Sequence, residues 1–423
     1  MDGLATGVLA GLVITAYRLG IVQMSGWVHG LLTRAAESPG KALLYVGIMA
    51  AMGAAAGLCL KIAPLISGSG IPQVAAQLAG QLEARWQKVL PFKFLGGILT
   101  LGGGLTLGRE GPSVQVGAAV GQAFGELARR PCEERQFLIS CGGAAGLASA
   151  FNAPVAGLIF ALEELHRSFS PAVLVSASAA AFAGAFVSAG VFGSAPVLPV
   201  TGGIHIPLQY YWILLLLGVL TGLSGVLFNR CILWGKALFA RLSLRWRPAW
   251  LWCGIVPFLI VAAACLAFPP LFGSGEPVIF FAAGENNPPL WQLTAFYVSK
   301  LALLTLCFGS GLPGGIFFPL LALGSLAGNA AGSALAGAGL MESQYIVAMA
   351  LMAMAGHFSA IVRSPVTSIL LVSEMTGSFS FMLPLGVVAM VSYGVAELFQ
   401  SVPIYESLQS LLPLSGSGDE KSV

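Results

Sequence analysis

The chain has 423 residues, of which 57% are hydrophobic and 9% charged, against roughly 25% charged residues in a soluble domain. A mean hydropathy of +0.87 over that length excludes a single soluble core and reads as a polytopic membrane protein. A net charge of +3 without a long basic run gives no argument for nucleic acid, and seven scattered cysteines with no CxxC pair imply neither a disulfide framework nor a metal site.

In chain order, the apolar segment from Gly3 to Tyr17 has no basic leader before it, so it reads as a first membrane helix rather than a cleavable signal. Further apolar stretches cover 42–60, 94–107, 137–162, 171–193, 211–233, 251–272, 296–308, 314–340, 346–362, 366–373 and 381–399. Several fall short of the roughly 20 residues that a crossing helix needs. Most of the 55 glycines and 24 prolines lie inside these stretches, which points to close helix packing and broken helices rather than flexible linkers.

The second half echoes the first. The run Gly68-Ser69-Gly70-Ile71-Pro72 resembles Gly273-Ser274-Gly275-Glu276-Pro277, Lys93 matches Lys300, and Pro112 matches Pro319. Ala153-Pro154-Val155 through Glu163 resembles Ser364-Pro365-Val366 through Glu374. The chain therefore reads as a duplicated membrane domain, 1–200 and 201–412, joined near 195–210 and followed by a polar tail, 413–423. Hydropathy leaves open whether the halves are parallel or inverted. Interrupted apolar segments at matching positions of two halves are the best sequence pointer to a transporter's binding site.

Three glycine-proline turns each precede an apolar run: Gly68 to Pro72, Gly108-Arg109-Glu110-Gly111-Pro112, and Gly314-Gly315-Ile316-Phe317-Phe318-Pro319. Glycine permits a sharp turn and close approach to a ligand, and proline suits a first helical turn. First-turn N–H groups have no partner within the helix and carry the positive end of its dipole, so converging helix starts make an anion site without a fixed positive side chain. Any one turn alone is better read as packing; three together, with a carboxylate in one, favour the anion site. Glu110 stands in an otherwise apolar flank, and an ionisable group at membrane depth marks a functional site by default. No Gly-Lys-Ser/Thr follows any of these turns, which excludes a phosphate-binding loop.

These three motifs, in order, resemble the signatures of the CLC chloride channel and chloride/proton antiporter family, and the resemblance extends from about Gly3 to Leu408, through Phe151 to Gly157 and Pro403-Ile404-Tyr405. It implies an all-α membrane protein of two inverted repeats built from tilted and half-length helices. It also implies a homodimer with one pore per subunit, set in the lipid of the inner cell membrane. Carried over by position, the Ser69 and Tyr405 hydroxyls and the backbone N–H groups of Ile316 and Phe317 would hold chloride, within turns that include Gly68, Gly70, Arg109 and Gly111. Glu110 would be the gating glutamate, a tethered anion that competes with chloride and swings out when protonated. Ser69, where some relatives have proline, resembles the chloride-preferring pattern, and Ile316-Phe317 lacks the methionine of the fluoride-exporting branch. Chloride is a substrate here, and no cofactor is implied.

Glu163 and Glu164 end the run 155–162, and a solvated helix end is the plain reading of at least one of them. The resemblance places Glu164 at the internal proton-transfer glutamate, so exchange of chloride for protons is expected, with a passive chloride channel of the same fold as the alternative. Lys93 needs a counter-charge, expected from Glu163 or Glu164. The sequence departs from the family at Gln73, Ala75 and Ala76, where many relatives carry acids, and it begins within what looks like the family's first membrane helix. Glu163-x-x-His166 has the spacing of a di-iron ligand pair, but Glu374 in the matching half has no such histidine. His29, His205 and His357 read as ordinary loop or interface residues. The basic loops Arg129-Arg130 and Arg241 to Arg247 hint at a cytoplasmic side.

Overall fold

A computed structural model describes residues 1–167, 170–198, 206–245, 247–282 and 288–413. Among these, the regular structure is helical, and one isolated antiparallel bridge joins Gly108 to Gly315. The first eight helices are α1 (Asp2–Ala35), α2 (Pro39–Ile62), α3 (Ile71–Leu78), α4 (Trp86–Gly102), α5 (Glu110–Leu127), α6 (Cys132–Phe151), α7 (Pro154–Phe160) and α8 (Pro171–Phe192). The next eight repeat that order: α9 (Tyr211–Arg245), α10 (Ala249–Ala267), α11 (Glu276–Ala282), α12 (Leu290–Gly309), α13 (Phe317–Gly337), α14 (Ile346–Val362), α15 (Pro365–Thr376) and α16 (Met382–Leu398). A short α17 (Ile404–Gln409) follows.

Nine described helical segments are long and apolar enough to cross a membrane, whereas α3, α7, α11 and α15 have at most 12 residues. The breaks have local causes. The apolar stretch 137–162 is two helices, because Asn152 (φ 56°) takes the left-handed conformation that ends α6 and Pro154 starts α7. Arg363 (φ 72°) and Pro365 do the same between α14 and α15. The first membrane helix runs to Ala35, well past the expected Tyr17. The expected join near 195–210 includes residues 199–205, on which the boundary between 1–200 and 201–412 falls and which lie outside the described residues. His205 and the tail beyond 413 lie outside them too.

The halves meet through equivalent residues running antiparallel, as an inverted pair does. The Gly108 N–H donates to the Gly315 carbonyl and the Gly315 N–H to that of Gly108, both at 2.7 Å. Around this pair the Gly68 N–H donates to Gly311 at 3.2 Å and the Gly273 N–H to Gly104 at 2.8 Å, again equivalent bonds. Farther out the braces are side chains. Glu374 accepts from the first-turn amides of α7, Val155 at 3.1 Å and Ala156 at 2.7 Å. Glu163 accepts from those of α15, Val366 at 3.4 Å and Thr367 at 2.8 Å.

The buried lysines follow the same symmetry and correct one expectation. Lys93 takes no counter-charge from Glu163 or Glu164; its Nζ donates to the carbonyls of Ile66 (2.8 Å) and Gly68 (2.7 Å). Lys300 Nζ donates likewise to Leu271 (2.7 Å) and Gly273 (2.8 Å). In each half a short 3₁₀ turn, Pro64–Ile66 or Pro269–Leu271, and the residue two beyond it present two carbonyls, which take two of the three donors of the ammonium.

Small residues bring α5 and α6 into backbone contact. A Cβ on Gly142 would stand 2.7 Å from the Gly117 carbonyl carbon, while Gly190 on α8 faces open space. Gly142→Val is expected to destabilise the protein by about 1–3 kcal/mol through overpacking, seen as a lower unfolding temperature in detergent. Gly190→Ala should not lower it.

Candidate functional site

The three glycine-proline turns, far apart in sequence, meet at one place. Gly68 (φ 62°) and Gly70 (φ 95°) hold the first turn in left-handed conformations, and Gly70 caps α3. That turn is tied down from several sides. The Gly314 N–H donates to the Gly68 carbonyl at 3.0 Å, Gln73 Nε2 to Ser67 at 2.8 Å, and Gln115 Nε2 to Leu65 at 2.9 Å. Gly111, in the first turn of α5, lies against Ser69: a Cβ there would stand 2.9 Å from the Ser69 carbonyl oxygen. A Cβ on Gly315 would stand 3.1 Å from the Gly111 nitrogen, which closes the contact between the second and third motifs.

Into this junction point side chains that the protein leaves without partners. Glu110 is fully buried, and Ser69 and Tyr405 are each 2% exposed. The Ser69 and Tyr405 hydroxyls lie near one another without a hydrogen bond of proper geometry, and neither carboxylate oxygen of Glu110 has a bond of that quality. The carboxylate lies close to its own N–H and that of Phe318 in the first turn of α13, with Arg109 Nε 4.0 Å from Oε1. A buried polar group without a partner costs about 1–3 kcal/mol, so four such oxygens in one place mark a binding site rather than packing. Two hydroxyls and the start of α13 at Ile316 and Phe317 offer donors suited to an anion. The Phe317 ring is packed against Phe358 (4.7 Å between centroids) and Phe151 (5.3 Å), which fixes that helix start.

Three cavities reach this region. Glu110 and Arg109 line one, together with Glu276 and Phe318. Ser69 lines a second, with Gly68, Lys236, Phe308 and Glu406. Glu164 lines a third, with Arg167, Arg363, Glu397 and Glu406. Tyr405 lies within electrostatic reach of both Glu110 and Glu164.

The two adjacent glutamates have different surroundings: Glu163 is half-buried and Glu164 is buried. They lie on a π turn, Ala161–Leu165. Glu163 is committed to the α15 amides and to the Thr367 hydroxyl at 2.7 Å. Glu164 is 5% exposed, and its Oε2 accepts from Ser364 Oγ at 2.9 Å. The di-iron spacing is not realised: His166 Nδ1 lies 3.3 Å from Ser140 Oγ, and the described residues hold no group of three His, Cys, Asp or Glu side chains fit for a metal. His357 is not a loop residue but is buried in α14, with Nδ1 2.7 Å from the Leu320 carbonyl oxygen. His29 is exposed on α1, its ring edge-on to Phe272.

Sequence reasoning missed several residues that the fold brings here: Tyr17, Lys236, Glu276, Ser364, Arg363 and Glu406. Glu406 had a local signal, its place directly after Tyr405. Glu276 and Ser364 lie inside the matched turns of the second half, with Arg363 directly before Ser364, whereas Tyr17 and Lys236 come from distant helices with no motif around them.

Residues 51–397 match the profile of the family described as voltage gated chloride channel. The H(+)/Cl(-) exchange transporter ClcA of Cronobacter sakazakii is 35% identical over 414 residues, covering 95% of this chain and 87% of that protein. Its Salmonella arizonae counterpart is 34% identical over 412 residues, covering 95% and 86%. Among solved structures, a slow cyanobacterial Cl-/H+ antiporter matches with a TM-score of 0.91 at 31% identity, covering 97% of this chain and 96% of that one. A eukaryotic CLC transporter shares the fold, with a TM-score of 0.78 at 22% identity, covering 97% and 73%. These relatives are transporters rather than enzymes. The resemblance carried by the three motifs is borne out over most of the sequence, and the chain belongs to the voltage gated chloride channel family.

Proposed function

We propose that this protein is a secondary active transporter that exchanges chloride for protons across the inner cell membrane, as a homodimer with a separate pore in each subunit. The observation that carries the reading is the cluster of four unpartnered buried oxygens, from Ser69, Tyr405 and Glu110, at the starts of α5 and α13. The names of the relatives, H(+)/Cl(-) exchange transporter and Cl-/H+ antiporter, support the substrates.

In this reading chloride enters through the cavity at Ser69 and is held by the Ser69 and Tyr405 hydroxyls and the N–H groups of Ile316 and Phe317. Gly68, Gly70 and Gly111 let backbone approach the ion, and Arg109 sets the field beside the gate. Donors of this kind hold a monovalent anion reversibly, whereas direct contact with an ammonium would slow its release. Glu110 is an anion on a tether: charged, it occupies the amides that chloride would use; protonated, it loses its claim on them and swings into the cavity shared with Arg109 and Glu276. Glu164 receives protons from its own cavity and passes them toward Glu110, so the proton route parts from that of chloride on the Ser69 side.

In proteoliposomes, a chloride gradient should drive uphill proton movement read by a pH electrode; chloride flux with no proton movement would establish the passive channel instead. Glu110→Ala should keep chloride flux while uncoupling protons. Glu164→Gln should abolish proton transport, by at least about 100-fold if it removes a proton-transfer group, with chloride flux retained. Unchanged coupling in either variant refutes that assignment. Tyr405→Phe removes one hydroxyl donor and should weaken chloride binding by roughly 0.5–1.5 kcal/mol, read by calorimetry.

A further inference from the structure

The cavity that ends at Glu164 is rimmed by two arginine–glutamate pairs. Arg363 Nη1 lies 3.1 Å from Glu397 Oε2, but this arginine is also fixed by the carbonyls of Tyr393 (2.7 Å) and Ser401 (2.9 Å) and by the Tyr393 ring. Arg167 differs. Among the described residues it is held by carboxylates alone: Nη1 lies 2.9 Å from Glu406 Oε1, and Nη2 lies 3.9 Å from Glu164 Oε1.

The inequality of those two distances is the informative part. At 2.9 Å the contact with Glu406 is a close ion pair; at 3.9 Å the contact with Glu164 is a looser one. Glu164 Oε2 accepts a hydrogen bond from the Ser364 hydroxyl, whereas Oε1 faces Arg167 without a direct hydrogen bond. The other groups around Glu164 leave this arrangement intact. Glu163 on its own turn is spent on α15, and His166 is turned to Ser140. Tyr405 and Glu406 face it from α17, and Arg363 and Glu397 stand across the cavity, paired with each other.

We propose that Arg167 is a positioning residue for proton entry and Glu406 its anchor: Glu406 draws the guanidinium off Glu164, so that Glu164 Oε1 can take a proton from cavity water. The guanidinium keeps its own protons throughout and acts as a fixed charge, not a carrier. The proposal rests on reading Glu164 as the internal proton-transfer group.

Removing either partner has opposite effects, which a purely structural role would not produce. Without Arg167 the proton meets less opposing charge; without Glu406 the guanidinium is free to close on Glu164. Proton transport in proteoliposomes is measured against pH on the Glu164 side, with chloride flux in the same vesicles reporting that each variant folds. Arg167→Gln is expected to move the midpoint to higher pH by about one unit, and Glu406→Gln to lower pH by about as much. The double variant should follow Arg167→Gln, and Arg167→Lys should restore most of the original profile. Shifts in the same direction, or no shift in either single variant, overturn the proposal. If Glu164→Gln still transports protons, the underlying reading of Glu164 fails and the proposal falls with it. If Glu164→Gln is proton-silent and the single variants do not split, only the role of Arg167 and Glu406 fails.

Discussion

Two amide–carbonyl bonds between Gly108 and Gly315 hold the centre of this molecule. They join equivalent positions of the two halves, and each lies just before a helix that starts in the protein interior. Because the pair is antiparallel, α5 and α13 are brought together at their N-terminal ends, with first-turn amides turned toward the same small volume. Neither bond admits a bulky side chain nearby: a Cβ on Gly108 would meet the Glu110 carboxylate, and one on Gly314 would press on Leu107. The glycines of the motifs are therefore a requirement of backbone-to-backbone approach, and the concentration of donors follows from it.

The fold places charge inside an apolar chain in three distinct ways. Lys93 and Lys300 are neutralised by carbonyl dipoles at the ends of 3₁₀ turns, and so brace the turns that lead to α3 and α11. Glu163 and Glu374 are satisfied by helix-start amides of the opposite half, a reciprocal brace near the periphery. Glu110 and Glu164 are left incompletely satisfied, each at the end of a cavity. The first two arrangements are closed and structural. The third is open, which is why the proposed ion and proton chemistry is assigned to those two carboxylates and not to the other buried charges.

A consequence is that neighbouring residues in sequence do unrelated work. Glu163 and Glu164 sit side by side on one π turn and line the same cavity, yet Glu163 caps α15 while Glu164 is buried with one oxygen toward Arg167. Tyr405 and Glu406 are likewise adjacent on α17, the first turned to the central junction and the second to a cavity rim. In the proposed mechanism this places the hydroxyl that holds chloride and the carboxylate that anchors Arg167 on one short helix, so the two ion routes share a mechanical element.

Sequence alone determined what rests on local chemistry. The membrane class follows from composition; the duplication is read from matched turns; the expectation of an anion site at three turns, with the isolated Glu110, is read from glycine, proline and charge at short spacing. These are read from composition and short motifs; the structure bears out the helical membrane class and brings the three turns together beside Glu110. Tertiary structure alone decided the rest. The partner of Lys93 was expected to be a carboxylate, because a buried ammonium needs compensation; which of carboxylate or carbonyl supplies it depends on where the preceding turn ends in space. The separate fates of Glu163 and Glu164 depend on α15, some 200 residues away in sequence. The rim of Arg167, Arg363, Glu397 and Glu406 has no spacing to read, since its members come from four segments that meet only when the halves close on each other. Local backbone preference is written in sequence, but long-range electrostatic pairing is a matter of distance, and only the packed helices set that distance.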